Sequence, residues 1–229
     1  MPKVLTREEY RDAIYLDFEG EGKKGDGSVP MPHMAGTFKP NLTGKSGSHS
    51  YVFFSETWKP VCSHFYKKAV IADFTEYFDT LSSELAITGQ YIVFWSMHES
   101  MILEKYLPKK LFEQLVPRLH NLHPIAKTYT TRKRAFGAGN SARGKSLEAF
   151  LSALYDRRHP YPPFPLGAAE ACRRIDQACL NHKRWKNFSV KQKSYADDLI
   201  QYNSGDCKST WLIAKRIGNF YNQANGVLK

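Results

Sequence analysis

The order of short β-prone runs and amphipathic helices constrains the fold of this chain most strongly. Three β-prone runs come first, at Asp12–Phe18, Met34–Phe38 and Ser50–Phe54. Ala69–Ala86 then carries apolar residues at helical spacing, and Gln90–Trp95 has the composition of a buried strand. This order predicts a mixed α/β fold in which the first three strands form an antiparallel meander flanked by helices.

The remainder of the chain is predicted to be mainly helical. Ser96 is a typical N-cap for a helix over His98–Leu107, while His123–Thr130 is predicted to be a further short strand. The other expected helices cover Lys110–Leu119, Ser146–Tyr155, Gly167–Asn181, Tyr195–Tyr202 and Asp206–Tyr221. We therefore expect one domain over residues 1–229, with the basic stretch 156–193 as a helical insertion.

Composition narrows the class of protein. Hydrophobic residues make up 42% of the chain and aromatic residues 14%, which is typical of an ordered globular protein. The longest apolar runs are too short to cross a bilayer, and the first residues lack the apolar core of a secretory signal. We expect a cytoplasmic protein without a membrane partner. The sequence identifies no protein partner.

The formal charge of +11 favours a polyanionic partner, because cationic side chains neutralise phosphates and release their counterions. One basic stretch also contains aromatic residues, on which the bases of single-stranded DNA or RNA can stack. An ordinary solvated helix face remains the alternative for each cluster. The candidate nucleic-acid-binding residues are Arg132, Lys133, Arg134, Arg143, Lys145, Lys183, Arg184, Trp185 and Lys186.

Two carboxylates follow the first apolar run. Asp17 and Glu19 lie two residues apart, so on a strand both side chains leave the same face. Carboxylate oxygens are the ligands that Mg²⁺ prefers, although an isolated pair of this kind is more often a solvated strand end. Glu99 follows the buried strand at Gln90–Trp95 and adds a third acidic position. Tyr202 and Asp206 are spaced to share one face of a helix.

Taken in order, four segments resemble motifs of the ribonuclease-H-like DEDD nucleases, and in particular the RecB-type and YprB-like nuclease domains. These segments are IYLDFEG, FWSMHESMILEKY, KSLEAFLSAL and YNSGDCKSTWLIAKRIG. The resemblance implies a three-layer ribonuclease-H-like fold. It also implies metal-dependent hydrolysis of phosphodiester bonds in DNA or RNA, as a 3′–5′ exonuclease acting on single-stranded ends.

The resemblance also assigns roles to individual residues. Asp17, Glu19 and Asp206 would ligate two Mg²⁺ or Mn²⁺ ions, and Glu99 would fill the remaining acidic motif through water. Tyr202 would orient the attacking water or help to deprotonate it, as in the tyrosine branch of the family. Residue 201 is Gln201, which excludes the histidine branch. Glu99 is a departure, since the family usually has Asp at this position.

Two alternatives remain open. Gly139–Ser146, GNSARGKS, fits the spacing of a phosphate-binding P-loop, which would make the chain a nucleotide-binding protein. A P-loop follows directly on a buried strand, however, and the residues before Gly139 are too basic for one. The second alternative is a non-catalytic nucleic-acid-binding protein on the same fold.

Overall fold

A mixed sheet of six strands forms the centre of the described part of the chain. The computed structural model describes residues 3–41, 43, 46–135, 146–155 and 166–226. Its strands are β1 (Ile14–Glu19), β2 (Met34–Pro40), β3 (Gly47–Phe53), β4 (Ala69–Ile71), β5 (Ile92–Phe94) and β6 (Leu119–Asn121). Their order across the sheet is β4-β3-β2-β1-β5-β6.

The first three strands form the predicted antiparallel meander. β1 pairs antiparallel with β2, and β2 pairs antiparallel with β3. β5 joins the other edge of β1 in parallel, β6 pairs parallel with β5, and β4 pairs parallel with β3. Asp17 is in register with Gly36, Gly36 with Tyr51, and Tyr51 with Ala69. These register partners form one row across the sheet, from Asp17 on β1 to Ala69 on the edge strand β4.

Helices cover both faces of this sheet. They are α1 (Arg7–Asp12), α2 (Lys59–His64), α3 (Phe74–Thr88), α4 (Met97–Tyr106), α5 (Lys109–Leu115), α6 (His123–Ala135), α7 (Leu147–Tyr155), α8 (Ala168–Asn181) and α9 (Val190–Gly226). The predicted α/β class is confirmed, as a mixed sheet flanked by helices.

Alternation along β1 decides which layer each helix joins. Ile14, Leu16 and Phe18 pack with α3, α4 and α5 on one face. Tyr15 points to the opposite face, where it joins a core built with α6, α7 and α9. Asp17 and Glu19 share the face of Tyr15, because successive side chains of a strand alternate. The carboxylates therefore face the layer that contains α9.

α9 is the main helix of this second layer. It runs without interruption over 37 residues, which corresponds to a length of about 55 Å. It packs on β1 and β2, and α1, α7 and α8 lie against it. The sequence predicted two helices here, at Tyr195–Tyr202 and Asp206–Tyr221, and that division is wrong. Packing on both the sheet and neighbouring helices outweighs the cost of Gly205 inside the helix, about 1 kcal/mol.

Two other expectations about local structure are wrong. His123–Thr130 is not a strand but the first part of α6, whose first turn contains Pro124 and whose His123 amide is capped by the Asn121 side chain. The strand in this region is β6, which includes Leu119, although Leu119 was expected to end a helix.

The helix expected over Ala69–Ala86 begins later than predicted. Ala69–Ile71 forms β4, and α3 begins only at Phe74, where Asp73 caps its first amides.

The basic stretch 156–193 contributes α8 to the core. Residues 156–165 lie outside the described residues. Ala171, Cys172 and Ile175 of α8 are buried with residues of α9 and the sheet. Asp176 accepts a hydrogen bond of 3.1 Å from Trp58 Nε1. α8 is therefore part of the main core and does not stand apart from it.

Within the part of the chain that the structure describes, no helix is both long enough and apolar enough to span a membrane.

A buried polar chain generates a prediction about pH. The Tyr15 hydroxyl donates to the Tyr10 carbonyl oxygen at 2.6 Å, and the Tyr10 hydroxyl lies 3.1 Å from His120 Nε2. Burial lowers the pKa of His120 to about 4. In the unfolded chain the pKa of a histidine is about 6.5. Between these two pKa values, His120 is therefore protonated in the unfolded chain but neutral in the folded protein. The folded state consequently loses stability as the pH falls through this window.

We expect the urea midpoint of His120→Gln to fall less between pH 7 and pH 4.5 than that of the wild type. Chemical denaturation at both pH values measures this difference. Equal losses in the two proteins would show that His120 does not contribute to acid destabilisation.

Candidate functional site

The candidate site lies at the carboxyl end of β1, on the face covered by α9. Glu19 is 4% exposed, although its charge favours water. Asp17 is half-buried, and the two carboxyl groups lie within hydrogen-bonding reach of each other. The expectation that both side chains leave the same face of a strand is confirmed.

Asn203 of α9 holds this pair of carboxylates. Its Nδ2 donates to Asp17 Oδ2 at 2.8 Å, to the Asp17 carbonyl oxygen at 3.2 Å and to Glu19 Oε1 at 3.4 Å. The side chain is completely buried. These bonds attach the helix to the strand at the point where the carboxylates begin, and so fix the position of α9 over β1.

Gly36 provides the space for Asn203. A Cβ atom at Gly36 would overlap with Asn203 Oδ1. Gly36 is the register partner of Asp17 on β2, and its carbonyl oxygen accepts a hydrogen bond from Cys207 Sγ at 3.4 Å. Tyr51, the next residue in the same row, hydrogen-bonds Ser204 through its hydroxyl at 2.5 Å. The helix therefore contacts three neighbouring strands at one level.

Glu99 enters the site from α4. β5 is parallel to β1 and adjacent to it, so the helix that follows β5 begins beside the end of β1. Ser96 caps α4, as the sequence predicted, and Glu99 Oε2 accepts hydrogen bonds from Ser96 Oγ at 2.9 Å and Ser96 N at 3.2 Å. Glu99 thus closes a capping box, which gives this carboxylate a structural role in α4.

Tyr202 and Asp206 complete the set from α9. They lie one turn apart and are joined by a side-chain hydrogen bond. Both are half-buried. Asp206 is near enough to Asp17, Glu19 and Glu99 to raise the pKa of each. The five residues selected from the sequence thus converge from β1, α4 and α9.

The electrostatics of the site favour protons or a cation. Loss of water raises the pKa of Asp17 well above its usual range, and repulsion by Glu19 adds to the increase. Burial, with repulsion by Asp206, raises the pKa of Glu19 to about 8. Burial raises the pKa of Glu99 to about 7, although hydrogen bonds from the backbone of Glu99 and from Ser96 act in the opposite direction. Burial and Asp206 raise the pKa of Tyr202, which stays protonated.

The donor set suits a hard divalent cation. All four acidic side chains offer oxygen ligands, and a cation would relieve the repulsion that raises their pKa values. Within the described ranges, no three His, Cys, Asp or Glu side chains form a group that could hold a metal ion as they stand. Asp17 is turned towards Asn203, and Glu99 towards Ser96. An ion in this site would therefore have to share these carboxylates with Asn203 and Ser96 or displace those partners.

A cavity of about 230 Å³ opens beside Glu19. Its wall is mostly apolar, with Glu19 and His98 as polar members. The remaining wall includes Pro30, Pro32, Ile102, Ala168 and Ala169. It is smaller than the roughly 300–1,000 Å³ of most small-molecule sites, so it would hold only part of a ligand.

The candidate nucleic-acid-binding residues lie in separate segments of the chain. Arg132, Lys133 and Arg134 belong to the last turns of α6, whereas Arg143 and Lys145 lie outside the described residues. Lys183, Arg184 and Lys186 are exposed around the 3₁₀ turn Trp185–Asn187. Trp185 is half-buried, and one of its faces stacks on His64 with a centroid distance of 4.2 Å.

The sequence matches no protein-family model and no curated protein.

Sequence reasoning assigned no role to Asn203 or Gly36, although both determine how α9 meets β1. Asn203 lies within the motif that contains Tyr202 and Asp206, and an amide between two predicted catalytic residues was the available signal. Gly36 gave no signal, because a glycine in a β-prone run does not reveal which side chain approaches it.

Gly36→Ala is expected to destabilise the fold, because the new methyl group would displace Asn203 from the Asp17 carboxylate. The loss should be about 1–3 kcal/mol or more, as for other substitutions that overfill a core. Gly25→Ala is the matched control, since a Cβ atom there meets nothing within 4 Å. Urea unfolding measures both variants, and an equal effect at the two positions would contradict the role given to Gly36.

The raised pKa of Glu19 predicts how stability changes with pH when divalent ions are removed. The pKa of Glu19 in the folded state, about 8, lies above the ordinary glutamate value of 4.5. The contribution of Glu19 to folding stability is therefore fully present below the pKa of Glu19 in the unfolded chain. It is lost as the pH rises towards 8. Glu19→Gln should be more stable than wild type at pH 8, by on the order of 1–3 kcal/mol, and the gain should shrink towards pH 5.

Unfolding in a chelator at both pH values tests this expectation. Glu104→Gln, an exposed residue of α4, is the control for the loss of one charge. A gain for Glu19→Gln that is the same at pH 5 and pH 8 would rule out the cluster as its origin.

Proposed function

We propose that this chain is a metal-dependent nuclease that hydrolyses phosphodiester bonds in single-stranded DNA or RNA. The observation that carries the proposal is the convergence of Asp17, Glu19, Glu99 and Asp206 with Tyr202, from three separate elements. Four neighbouring carboxylates, two of them buried and two half-buried, repel one another, which costs free energy unless a cation or protons compensate their charge. A site for divalent ions gives them a function.

The proposed cofactor is a pair of Mg²⁺ or Mn²⁺ ions, held by Asp17, Glu19 and Asp206, with Glu99 acting through water. Two such ions can activate a water molecule and stabilise the attacking and leaving oxygens of an in-line displacement. Asn203 would keep the Asp17 carboxylate on the α9 face, and Tyr202 would orient the attacking water. This division of roles follows the resemblance to the DEDD nucleases.

The sheet supports a ribonuclease-H-like interpretation of the fold. An antiparallel meander of three strands is followed by two further strands, both parallel to β1, on the other side of β1. The candidate carboxylates lie at the carboxyl ends of the central strands β1 and β5, where open α/β sheets commonly bind ligands. Exonuclease action in the 3′–5′ direction is proposed from the resemblance. The cavity beside Glu19 offers room for part of a terminal nucleotide.

The P-loop alternative receives little support from the described residues. Residues 139–145 of the motif lie outside them. The element before the motif is the helix α6, which ends at Ala135, whereas a P-loop follows a strand. Ser146 accepts a hydrogen bond from Ala149 N at 3.2 Å and so caps α7.

A cleavage assay tests the nuclease proposal. We expect Mn²⁺-dependent degradation of single-stranded oligonucleotides labelled at the 5′ or 3′ end, and the product lengths would report mode and polarity. Asp17→Asn should lower the rate by roughly 100-fold or more, as loss of a key charge-stabilising group does elsewhere. Asp79→Asn, on the exposed side of α3, is the matched control and should cleave like the wild type.

Two outcomes would overturn the proposal. One is the absence of cleavage of any single- or double-stranded DNA or RNA in Mg²⁺ or Mn²⁺. The other is an undiminished rate in Asp17→Asn. Binding without cleavage would favour the non-catalytic nucleic-acid-binding alternative.

A further inference from the structure

Two segments that are far apart in the sequence meet at the outer edge of the α9 layer. α2 ends at His64, whose ring stacks on Trp185 at 4.2 Å with an interplanar angle of 15°. Phe65 meets the same indole edge-on at 6.4 Å, and Phe188 lies 5.2 Å from it. These aromatic contacts fix the turn that follows α2 against the 3₁₀ turn Trp185–Asn187.

The turn after α2 presents an exposed ring. Tyr66 is 69% exposed, although a tyrosine usually buries most of its ring. Lys67 lies beside it, with Nζ 5.9 Å from the ring centroid. An exposed ring next to cations is what single-strand binding uses, because bases stack on the ring while the cations contact phosphates.

The surroundings of Tyr66 are strongly basic. The two segments that His64, Phe65 and Trp185 join carry five exposed cations: Lys67, Lys68, Lys183, Arg184 and Lys186. The nearby carboxylates are already engaged in part, since Asp197 lies 3.7 Å from His64 Nε2 and Glu56 lies 4.0 Å from Lys59 Nζ. The cations exceed these carboxylates in number, so the surface attracts polyanions.

This surface lies on the same side of the sheet as the acidic cluster. Val61 of α2 is buried with residues of α8 and α9. Tyr51 belongs to the row of register partners that starts at Asp17, and its amide donates to the Lys68 carbonyl oxygen at 2.7 Å. Three strand spacings separate β4 from β1, which is about 14 Å. Along α9, the nine residues from Asp197 to Asp206 also span about 14 Å.

One further cation, from α9, lies on the β3 side of this surface. Lys68 and Lys208 both lie near enough to His49 to help lower its pKa, after the larger effect of burial. Lys208 follows Asp206 by two residues on α9. Because residues two apart on a helix leave different sides of it, Lys208 adds positive charge on the β3 side of α9.

We propose that Tyr66, Lys67 and Lys68, together with Lys183, Arg184 and Lys186, form a binding surface for single-stranded nucleic acid that leads to the acidic cluster. The statement that this surface leads to a catalytic site rests on the proposed nuclease function. The assignment of single-stranded nucleic acid as its ligand does not. Tyr66 supplies the stacking face. Trp185 has a structural role, because its ring packs on His64 and Phe65 and so holds the two segments together.

Binding of labelled dT20 and rU20 in a chelator tests the surface independently of any cleavage. Tyr66→Ala should weaken the affinity by roughly 5-fold or more, as loss of one stacking ring does in other single-strand binding proteins. Tyr66→Phe keeps the ring and should bind like the wild type. Lys67→Ala/Lys68→Ala should weaken binding and reduce the slope of log affinity against log salt by about 1.4 for two lost phosphate contacts.

Lys109→Ala/Lys110→Ala is the matched control for this pair. It also removes two consecutive exposed lysines, but from α5 in the opposite helix layer. Unchanged affinity and salt slope in the variants of Tyr66, Lys67 and Lys68 would overturn the proposal. So would an equal loss in the α5 control, which would indicate a response to net charge alone.

The same variants separate this proposal from the nuclease proposal. If the patch variants lose affinity but the wild-type protein cleaves nothing, the binding surface stands and the nuclease function fails. If the wild type cleaves dT20 and all patch variants bind and cleave it equally well, the nuclease function stands and this surface fails. Preference for vesicles of acidic lipid over both oligonucleotides would also overturn the assignment of the ligand.

Discussion

The contact between Asn203 and the carboxylates of β1 is the interaction on which the rest of the site depends. A buried amide that donates to both Asp17 and Glu19 fixes the angle and height at which α9 crosses the sheet. The contact requires Gly36 on the neighbouring strand, because no other residue leaves room for the Asn203 side chain. The hydrogen bonds of Asn203 therefore determine both the position of α9 and the arrangement of the acidic residues.

This arrangement brings together groups that repel one another. Burial and mutual repulsion raise the pKa values of Asp17, Glu19 and Glu99, so the cluster favours protons or a bound cation. A fold selected for stability alone would gain by replacing such groups with apolar residues. The proposed exchange of protons for divalent cations gives a physical reason for keeping them.

α9 also connects the acidic cluster to the surface around Tyr66. Its first half contacts α2 through Asp197 and His64, its middle carries Tyr202, Asn203 and Asp206, and its second half packs in the core with α7. One continuous helix thus contacts the proposed binding surface and also carries residues of the acidic cluster.

The sequence by itself determined the α/β class, the antiparallel meander and the positions of Asp17, Glu19 and the Ser96 cap, because local alternation and capping chemistry express these features directly. It did not determine β6, the start of α6 at His123 or the continuity of α9 through Gly205. In each case packing against distant elements overrode the local pattern. The roles of Asn203 and Gly36, and the stacking of His64 on Trp185, were likewise decided only by the tertiary structure. Their roles arise from neighbours distant in sequence, since Gly36 and Asn203, for example, are 167 positions apart, and no local periodicity encodes such a contact.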